Sequence, residues 1–443
     1  MDKCYISSIN SDLLQSILQL LPLPSLLSFS MTCKSFNSIA SSDSLWEQIC
    51  IKDWGNHSFE ALLSSSLSTM KPNWKNLYKK VRQLSSLQIH RLNQDHVCPP
   101  PRASHTLNLI SDSLVLFGGG CEGGRHLDDT WLAHIGGRPT RGVIWQKISS
   151  GIPSGRFGQT CCNIDNALIL FGGINENGAR QNDTWVCHIL PNLSLSWTPL
   201  DVGPPLPPPR GAHASCYAGP NRMVIHGGID LDGLRLGDTW LLDLSNGWDL
   251  ATWRKIMTLP PSPSARSGHT ITWIGGGRMV LFGGRGPGFE VLNDLWLLDI
   301  ASEAPEWVEL MNYAPNVLGG LVPSPRVGHS ATLVLGGRIL IYGGEDSYRR
   351  RNDDLWVLDP NAIPTIKARV EISEPTNFGG RKVWKKLRPE GHIPSPRSFH
   401  RACADESMRH VYVFGGMVDG LVQPSEAFGL IFDAELHLVE LVL

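Results

Sequence analysis

The chain has no apolar run approaching the ~18 residues of a membrane-spanning helix, which removes a helical membrane anchor from consideration. Its start, Met1-Asp2-Lys3-Cys4, lacks the basic-then-apolar layout of a secretory leader. The ten cysteines include no Cys-x-x-Cys pair, so reduced thiols in the nucleus or cytoplasm are expected. Neither sign of charge dominates: 39 Lys and Arg face 41 Asp and Glu, for a net −2. Bulk charge therefore gives no reason to expect nucleic acid or an anionic membrane as partner. Gly-rich phosphate loops, His-Glu-x-x-His and Cys/His zinc spacings are all missing, so no catalytic site, cofactor or metal is expected.

What is present is a repeat. The pair Gly118-Gly119 ends a short apolar run and returns at Gly172-Gly173, Gly227-Gly228, Gly283-Gly284, Gly343-Gly344 and Gly415-Gly416. Twelve residues past the second Gly stands a Trp in five units: Trp131, Trp185, Trp240, Trp296 and Trp356. An Asp precedes each by two residues (Asp129, Asp183, Asp238, Asp294, Asp354), and a short carboxylate there is expected to fix the turn into the next strand. Arg-x-x-His opens five of the six units (Arg102/His105, Arg210/His213, Arg266/His269, Arg326/His329, Arg397/His400), and the second reads Arg156/Gln159. A second Trp closes five units, at Trp145, Trp197, Trp253, Trp307 and Trp384. These columns read as architecture, including a buried, hydrogen-bonded Arg and structural histidines.

Each unit reads as four short strands. In the fourth these run from His269 to Trp273, Met279 to Phe282, Leu295 to Asp299 and Trp307 to Leu310. The double Gly supplies positive φ where neighbouring strands crowd. One such sheet cannot bury its faces, but six arranged radially can, which predicts a six-bladed all-β propeller. The sixth unit departs from the pattern. Glu426-Ala427-Phe428 stands where Asp-x-Trp is expected, and no closing Trp follows. Either the tail or residues 87–92 supplies the outermost strand there.

The Gly-Gly and two Trp columns together resemble kelch repeats over residues 97–443, with the first five units at spacings of 54 to 60 residues, near the ~50 of kelch. Ahead of them, Leu13, Leu14, Ile17, Leu18 and Leu21 follow helical spacing, with Asn10 or Ser11 as cap. Pro22 and Pro24 end that helix, Ser25 caps a second carrying Leu26, Leu27, Met31 and Cys33, and Ser42 or Asp43 starts a third through Leu45, Trp46 and Ile49. Three helices in about forty residues make a very small core that wants a partner. This small all-α segment, residues 6–52, resembles an F-box, although Ile9-Asn10 stands where F-boxes commonly open with Leu-Pro and Phe36 where Trp is frequent. Residues 53–92 read as a linker, with a Ser-rich surface loop at 55–72 and a helix over 74–86 packing on the propeller.

The combination resembles the plant F-box/kelch group, including the ZEITLUPE type, without room for that type's LOV domain ahead of the F-box. The resemblance implies a substrate receptor of an SCF-type ubiquitin ligase, catalysing nothing itself and bound through a Skp-type adaptor to a cullin. It implies that Ile9, Leu13, Leu14, Ile17, Pro24, Leu26 and Leu27 face the adaptor, with Trp46 and Ile49 internal. The alternative is a kelch interaction scaffold whose helices bind no ligase. For a protein substrate, the loops after each double Gly and those leading to each Arg share one face. There Arg125, Arg180, Arg235, Arg285, Arg350 and Arg351 are candidates to read an acidic or phosphorylated segment, against a mixed-charge reading that counts Glu122, Glu176, Asp230, Asp232, Glu290, Glu345 and Asp346. Tyr313, in a long loop between Trp307 and Arg326, is the candidate anchor. A second insertion, between Trp356 and Trp384, falls on the opposite face.

Overall fold

In the computed structural model, which describes residues 9–66, 73–135, 142–149, 151–189, 195–310, 322–363, 383–422 and 427–443, the chain forms two units. A helical unit runs through Ser85 and takes in Leu441–Leu443; the other spans Ser86–Glu440.

The helical unit begins with α1 (Ser11–Leu20), capped by the Asn10 side chain, which accepts from the Asp12 amide. Pro22 and Pro24 do end it, yet Pro24 also sits in the first turn of α2 (Leu23–Ser30), where a missing N–H costs nothing. The second helix expected from the sequence is in fact two. It stops at Met31, and the chain restarts as α3 (Lys34–Ala40) with the Cys33 thiol accepting from the Phe36 amide. Then comes α4 (Asp43–Trp54), which buries Leu45, Trp46, Ile49, Cys50 and Trp54.

Two expectations for the linker are corrected. The Ser-rich stretch is not a loop: it forms α5 (Asn56–Ser66), burying Phe59 and Leu62, and Ser64 Oγ bonds back to the Ala61 carbonyl. The following α6 (Trp74–Gln83) gives its buried face to the helical unit. The Tyr78 ring lies 5.2 Å from Trp46 and 5.9 Å from Trp54, and the Phe59 and Trp74 rings stack at 4.7 Å. The Tyr78 hydroxyl donates to Asp53.

The second unit is a six-bladed propeller. Blade 4 shows the plan, with antiparallel strands Thr270–Gly275, Arg278–Arg285, Val291–Asp299 and Glu306–Glu309. The six innermost strands, starting at Thr106, Thr160, Ala214, Thr270, Ser330 and Arg401, contact one another in a closed cycle. A ring of backbone bonds seals the cycle at the residue before each His column. Gly158 donates to Ser104, Ala212 to Gly158, Gly268 to Ala212, Gly328 to Gly268, Phe399 to Gly328 and Ser104 to Phe399, at 2.7–2.9 Å. All six residues hold positive φ, from 54 to 70°, so this position favours Gly although only three blades have it.

The double Gly is required twice over, as blade 4 illustrates. Gly283 and Gly284 have φ of 64 and 101°, and a Cβ there would stand 2.8 Å from the Arg326 carbonyl oxygen and 2.7 Å from the His269 Cβ.

Blade 6 answers the open question about closure. The tail, Ala427–Leu441, is the third strand, and Leu87–Arg91 from the start of the unit is the fourth, with Pro389–Gly391 beyond it. The alignment of Glu426-Ala427-Phe428 with Asp-x-Trp is overturned. The hairpin His410–Val422/Ala427–Leu441 is longer than its counterparts, and Leu436 pairs with Phe414 as Thr184 pairs with Phe171 in blade 2. That register puts His437 in the column of Trp185.

Candidate functional site

The conserved geometry of the blades first removes residues from the functional list. Arg266 is fully buried and its fork grips Asp294 at 2.6 and 2.7 Å, while a third bond reaches the Gly283 carbonyl. The Trp296 indole donates to the same carboxylate at 2.7 Å. Arg102, Arg156, Arg210 and Arg326 repeat the arrangement with Asp129, Asp183, Asp238 and Asp354. The Asp column, expected to fix a turn by accepting backbone amides, holds an Arg and a Trp instead. Burial raises the pKa of Asp129, Asp238 and Asp354, but the Arg bond, its charge and the Trp N–H together bring each below the ordinary value. In blade 6, Arg397 pairs with Asp433 at 2.8 Å, Glu435 stands 3.9 Å away, and His437 lies 3.3 Å from Glu435.

One group among the described residues has metal-like spacing: His392, Glu435 and His437, with donor atoms within 4.8 Å of one another. Its carboxylate is already engaged by Arg91 at 2.7 Å and faces Arg397, so it is blade 6's version of the Arg–Asp–Trp column. The histidine columns are equally architectural. Burial, followed by neighbouring charges, holds His105, His213, His269 and His400 well below the ordinary pKa, so they are neutral.

Two surfaces remain. On α1, Leu13, Ile17 and Leu20 are 57, 40 and 77% exposed at i, i+4, i+7 spacing, while Leu14 and Leu18 face inward at 4 and 1%. Leu27 and Met31 add exposures of 44 and 85%. Of the residues expected to face an adaptor, Leu13, Ile17, Pro24 and Leu27 are exposed and Ile9 is half-buried. Leu14 and Leu26 are a correction: both point into the helical core, at 4 and 2%. Helical spacing alone does not tell which of two adjacent apolar stripes is internal when both are leucine-rich. Trp46 and Ile49 are buried.

The second surface is built by the hairpin loops after each double Gly. Three of them are held by a short side chain accepting from the backbone: Asn175 from Asn177 and Ala179, Asp230 from Asp232 and Leu234, Asp346 from Tyr348 and Arg350. The candidate arginines then divide. Arg285 and Arg351 both reach Glu345, at 3.1 and 3.7 Å, and Arg351 also bonds Asp419, so these two are neutralised within the face. Arg235 lies 4.5 Å over the Phe289 ring, and Arg180 donates to the Gly178 carbonyl. Among the described residues neither has a carboxylate at ion-pair distance, although the Glu290 charge acts on Arg235, and the Nε of each is buried without a bond. Arg125 and Arg350 are exposed, Arg350 5.4 Å over Tyr348. What the sequence reading missed is apolar: Leu231, Leu234, Phe289 and Tyr348 tip these loops at 59, 65, 70 and 80% exposure. The loops' constant length could have shown them. Tyr313 and most of the second insertion lie outside the described residues.

Known proteins share both units. The F-box-like family matches residues 11–52, and the KLHDC2/KLHL20/DRC7 Kelch-repeats domain matches residues 158–361 and 314–421. An Arabidopsis thaliana F-box/kelch-repeat protein is 50% identical over 99% of this chain and 93% of its own length. The chain belongs to the F-box/kelch-repeat family. Within it, Adagio protein 3 of Arabidopsis thaliana is 28% identical over 94% of the chain, which spans 63% of that relative's length. The Oryza sativa Adagio-like protein 1 is 29% identical over 79% of the chain and 55% of its own length. The solved structure of YjhT, 15% identical, superposes with a TM-score of 0.52 over 76% of this chain and 95% of that one, a likeness of fold alone. Members of the F-box/kelch-repeat family typically act as non-catalytic substrate adaptors. No helix among the described residues is long and apolar enough to cross a membrane.

Proposed function

We propose that this chain is the substrate-recognition subunit of an SCF-type ubiquitin ligase, docking a Skp-type adaptor, and through it a cullin, by its helical unit and binding a protein substrate by its propeller. The observation that carries the reading is the second apolar stripe of α1. A helix that buries one leucine face and leaves Leu13, Ile17 and Leu20 in water is apolar on two sides, and the outer side wants a cover. Family membership supports an adaptor as that cover. The receptor's contribution is positional, raising the effective concentration of substrate lysines near the conjugating enzyme.

On the propeller, the loop tips Leu231, Leu234, Phe289 and Tyr348 support apolar anchoring, and Arg180 and Arg235 support contact with an acidic group of the same substrate. Arg285 and Arg351 take structural parts in that face.

The test is co-purification with a plant-type Skp adaptor of wild type and a Leu13→Glu/Ile17→Glu/Leu27→Glu variant. All three positions are exposed, so the variant keeps its fold. Binding by the wild type and its loss in the variant support the receptor. Absence of binding by a folded wild type would leave an interaction scaffold that engages no ligase.

A further inference from the structure

The residue after each Arg-x-x-His or Arg-x-x-Gln starts an innermost strand and lies against the same column of the next blade. In three blades its hydroxyl pairs with the next histidine's Nε2: Thr160 with His213 at 2.7 Å, Thr270 with His329 at 2.9 Å and Ser330 with His400 at 2.9 Å. Ala214 has no hydroxyl, and His269 pairs with His226 instead, at 3.0 Å. Blade 6 breaks the pattern with a charge. Its residue is Arg401, whose Nε crosses the closure to blade 1 and donates to the His105 carbonyl at 2.8 Å. The His105 imidazole is fully buried, and neither ring nitrogen has a partner among the described residues.

Arg401 stands near the axis. After burial, arginine charge is what keeps His105, His213, His329 and His400 below the ordinary value, and Arg401 is among those arginines for all four. They come from blades 1, 3, 5 and 6, and only a group close to their common axis acts on all of them. The side chain is partly exposed, and among the described residues no carboxylate pairs with it. Burial alone brings its guanidinium down to about 10, still far from deprotonation at neutral pH. Set beside neutral imidazoles and with no carboxylate partner among the described residues, this cation is better held when a counter-charge joins it. Its Nη groups form a planar fork suited to two oxygens.

We propose that the propeller axis binds one small free oxyanion of phosphate size, held by the Nη groups of Arg401 with the His105 imidazole as a neutral second donor. The anion would neutralise the one charge set into the innermost ring and tie blade 6 to blade 1 at the closure.

The purified full-length chain is melted across a series of inorganic phosphate concentrations beside Arg401→Gln and Arg180→Gln/Arg235→Gln. Wild type and the double variant should gain several degrees in Tm with phosphate, saturably, as expected for a ligand of the native state. Arg401→Gln should show no saturable gain, and without phosphate it should melt no lower than wild type, because it removes an uncompensated charge. Phosphorus NMR reads the same site directly: line broadening of phosphate should persist in the double variant and vanish in Arg401→Gln. A gain that follows Arg180 and Arg235, no gain in any protein, or an Arg401→Gln chain that melts lower without phosphate would each overturn the site.

Discussion

At the scale of single residues, the propeller's cohesion rests on groups whose protonation is fixed by burial. His226 and His329 are brought down to about 3, and His105, His213, His269 and His400 are also well below the ordinary range, in every case with burial as the first cause. Each is neutral in the folded chain, while the unfolded chain protonates it below about 6.5. The associated stability is therefore present above about pH 6.5 and is lost as pH falls toward 3. The unfolding free energy should decline over that window, each histidine contributing about 1.4 kcal/mol per pH unit. Gln159 holds the same column in blade 2, bonding the Phe117 carbonyl, so the position accepts a non-titrating amide. His329→Gln should then flatten the slope by one proton, measured by denaturant titration at several pH values; an unchanged slope would refute the assignment. The φ column makes an equally local prediction. Ala212 sits at φ 55° in the ring of backbone bonds. Ala212→Gly should raise stability by roughly 0.5–1 kcal/mol, because left-handed backbone disfavours a Cβ. Ala-to-Gly changes elsewhere usually lower it.

At the scale of elements, the closing strand is the place where the ring is tied. Leu87 and Ile89 are fully buried, Gln88 is exposed, and Ile89 takes the place held by the closing Trp in the other blades. Ile89→Asp should cost roughly 3 kcal/mol or more, since it removes a packed side chain and buries an unpaired carboxylate. Gln88→Asp, on the wet face of the same strand, should cost little. Hydrogen exchange makes the point structurally: in Ile89→Asp the amides of Leu87–Arg91 and Ala427–Leu441 should lose protection together. Sequence spacing made most elements legible, because five units repeat the Gly-Gly, Asp-x-Trp and closing-Trp columns in fixed register. It failed where register slipped. The long hairpin of blade 6 moved His437 into the Trp column, beyond any fixed interval, and Ile89 does a Trp's work from the far end of the sequence. In the helical unit, period alone could not separate the inner stripe of Leu14 and Leu18 from the outer one of Leu13 and Ile17. Serine content suggested a loop over residues 55–72, yet Phe59 and Leu62 in the same stretch supply the packing that makes a helix.

At the scale of the whole molecule, the two proposed surfaces belong to separate units, so their roles should separate by mutation. The candidate arginines of the propeller face do not act as one ring, because ion pairing is a property of distance. Glu345 is close enough to neutralise Arg285 and Arg351, whereas Asp230 and Asp346 accept backbone amides and leave Arg180 and Arg235 without a close ion pair among the described residues, Glu290 acting on Arg235 only through space. The prediction follows from that division. Arg180→Glu/Arg235→Glu, and separately Phe289→Ala/Tyr348→Ala, should weaken substrate capture by about 10- to 100-fold, the range of central interface residues. Both should leave adaptor binding unchanged. Arg125→Glu, at an exposed position, should have a small effect that fades with added salt. The readout is trapping of ubiquitinated substrates by the assembled ligase, compared by quantitative mass spectrometry between each variant and wild type. Substrates lost with Arg180 and Arg235 but retained with Arg125→Glu would mean that unpaired guanidinium groups select the substrate. Substrates lost equally with Arg125→Glu and with Arg180→Glu/Arg235→Glu would mean that the face acts through net charge alone, and the division drawn from the ion pairs would not hold.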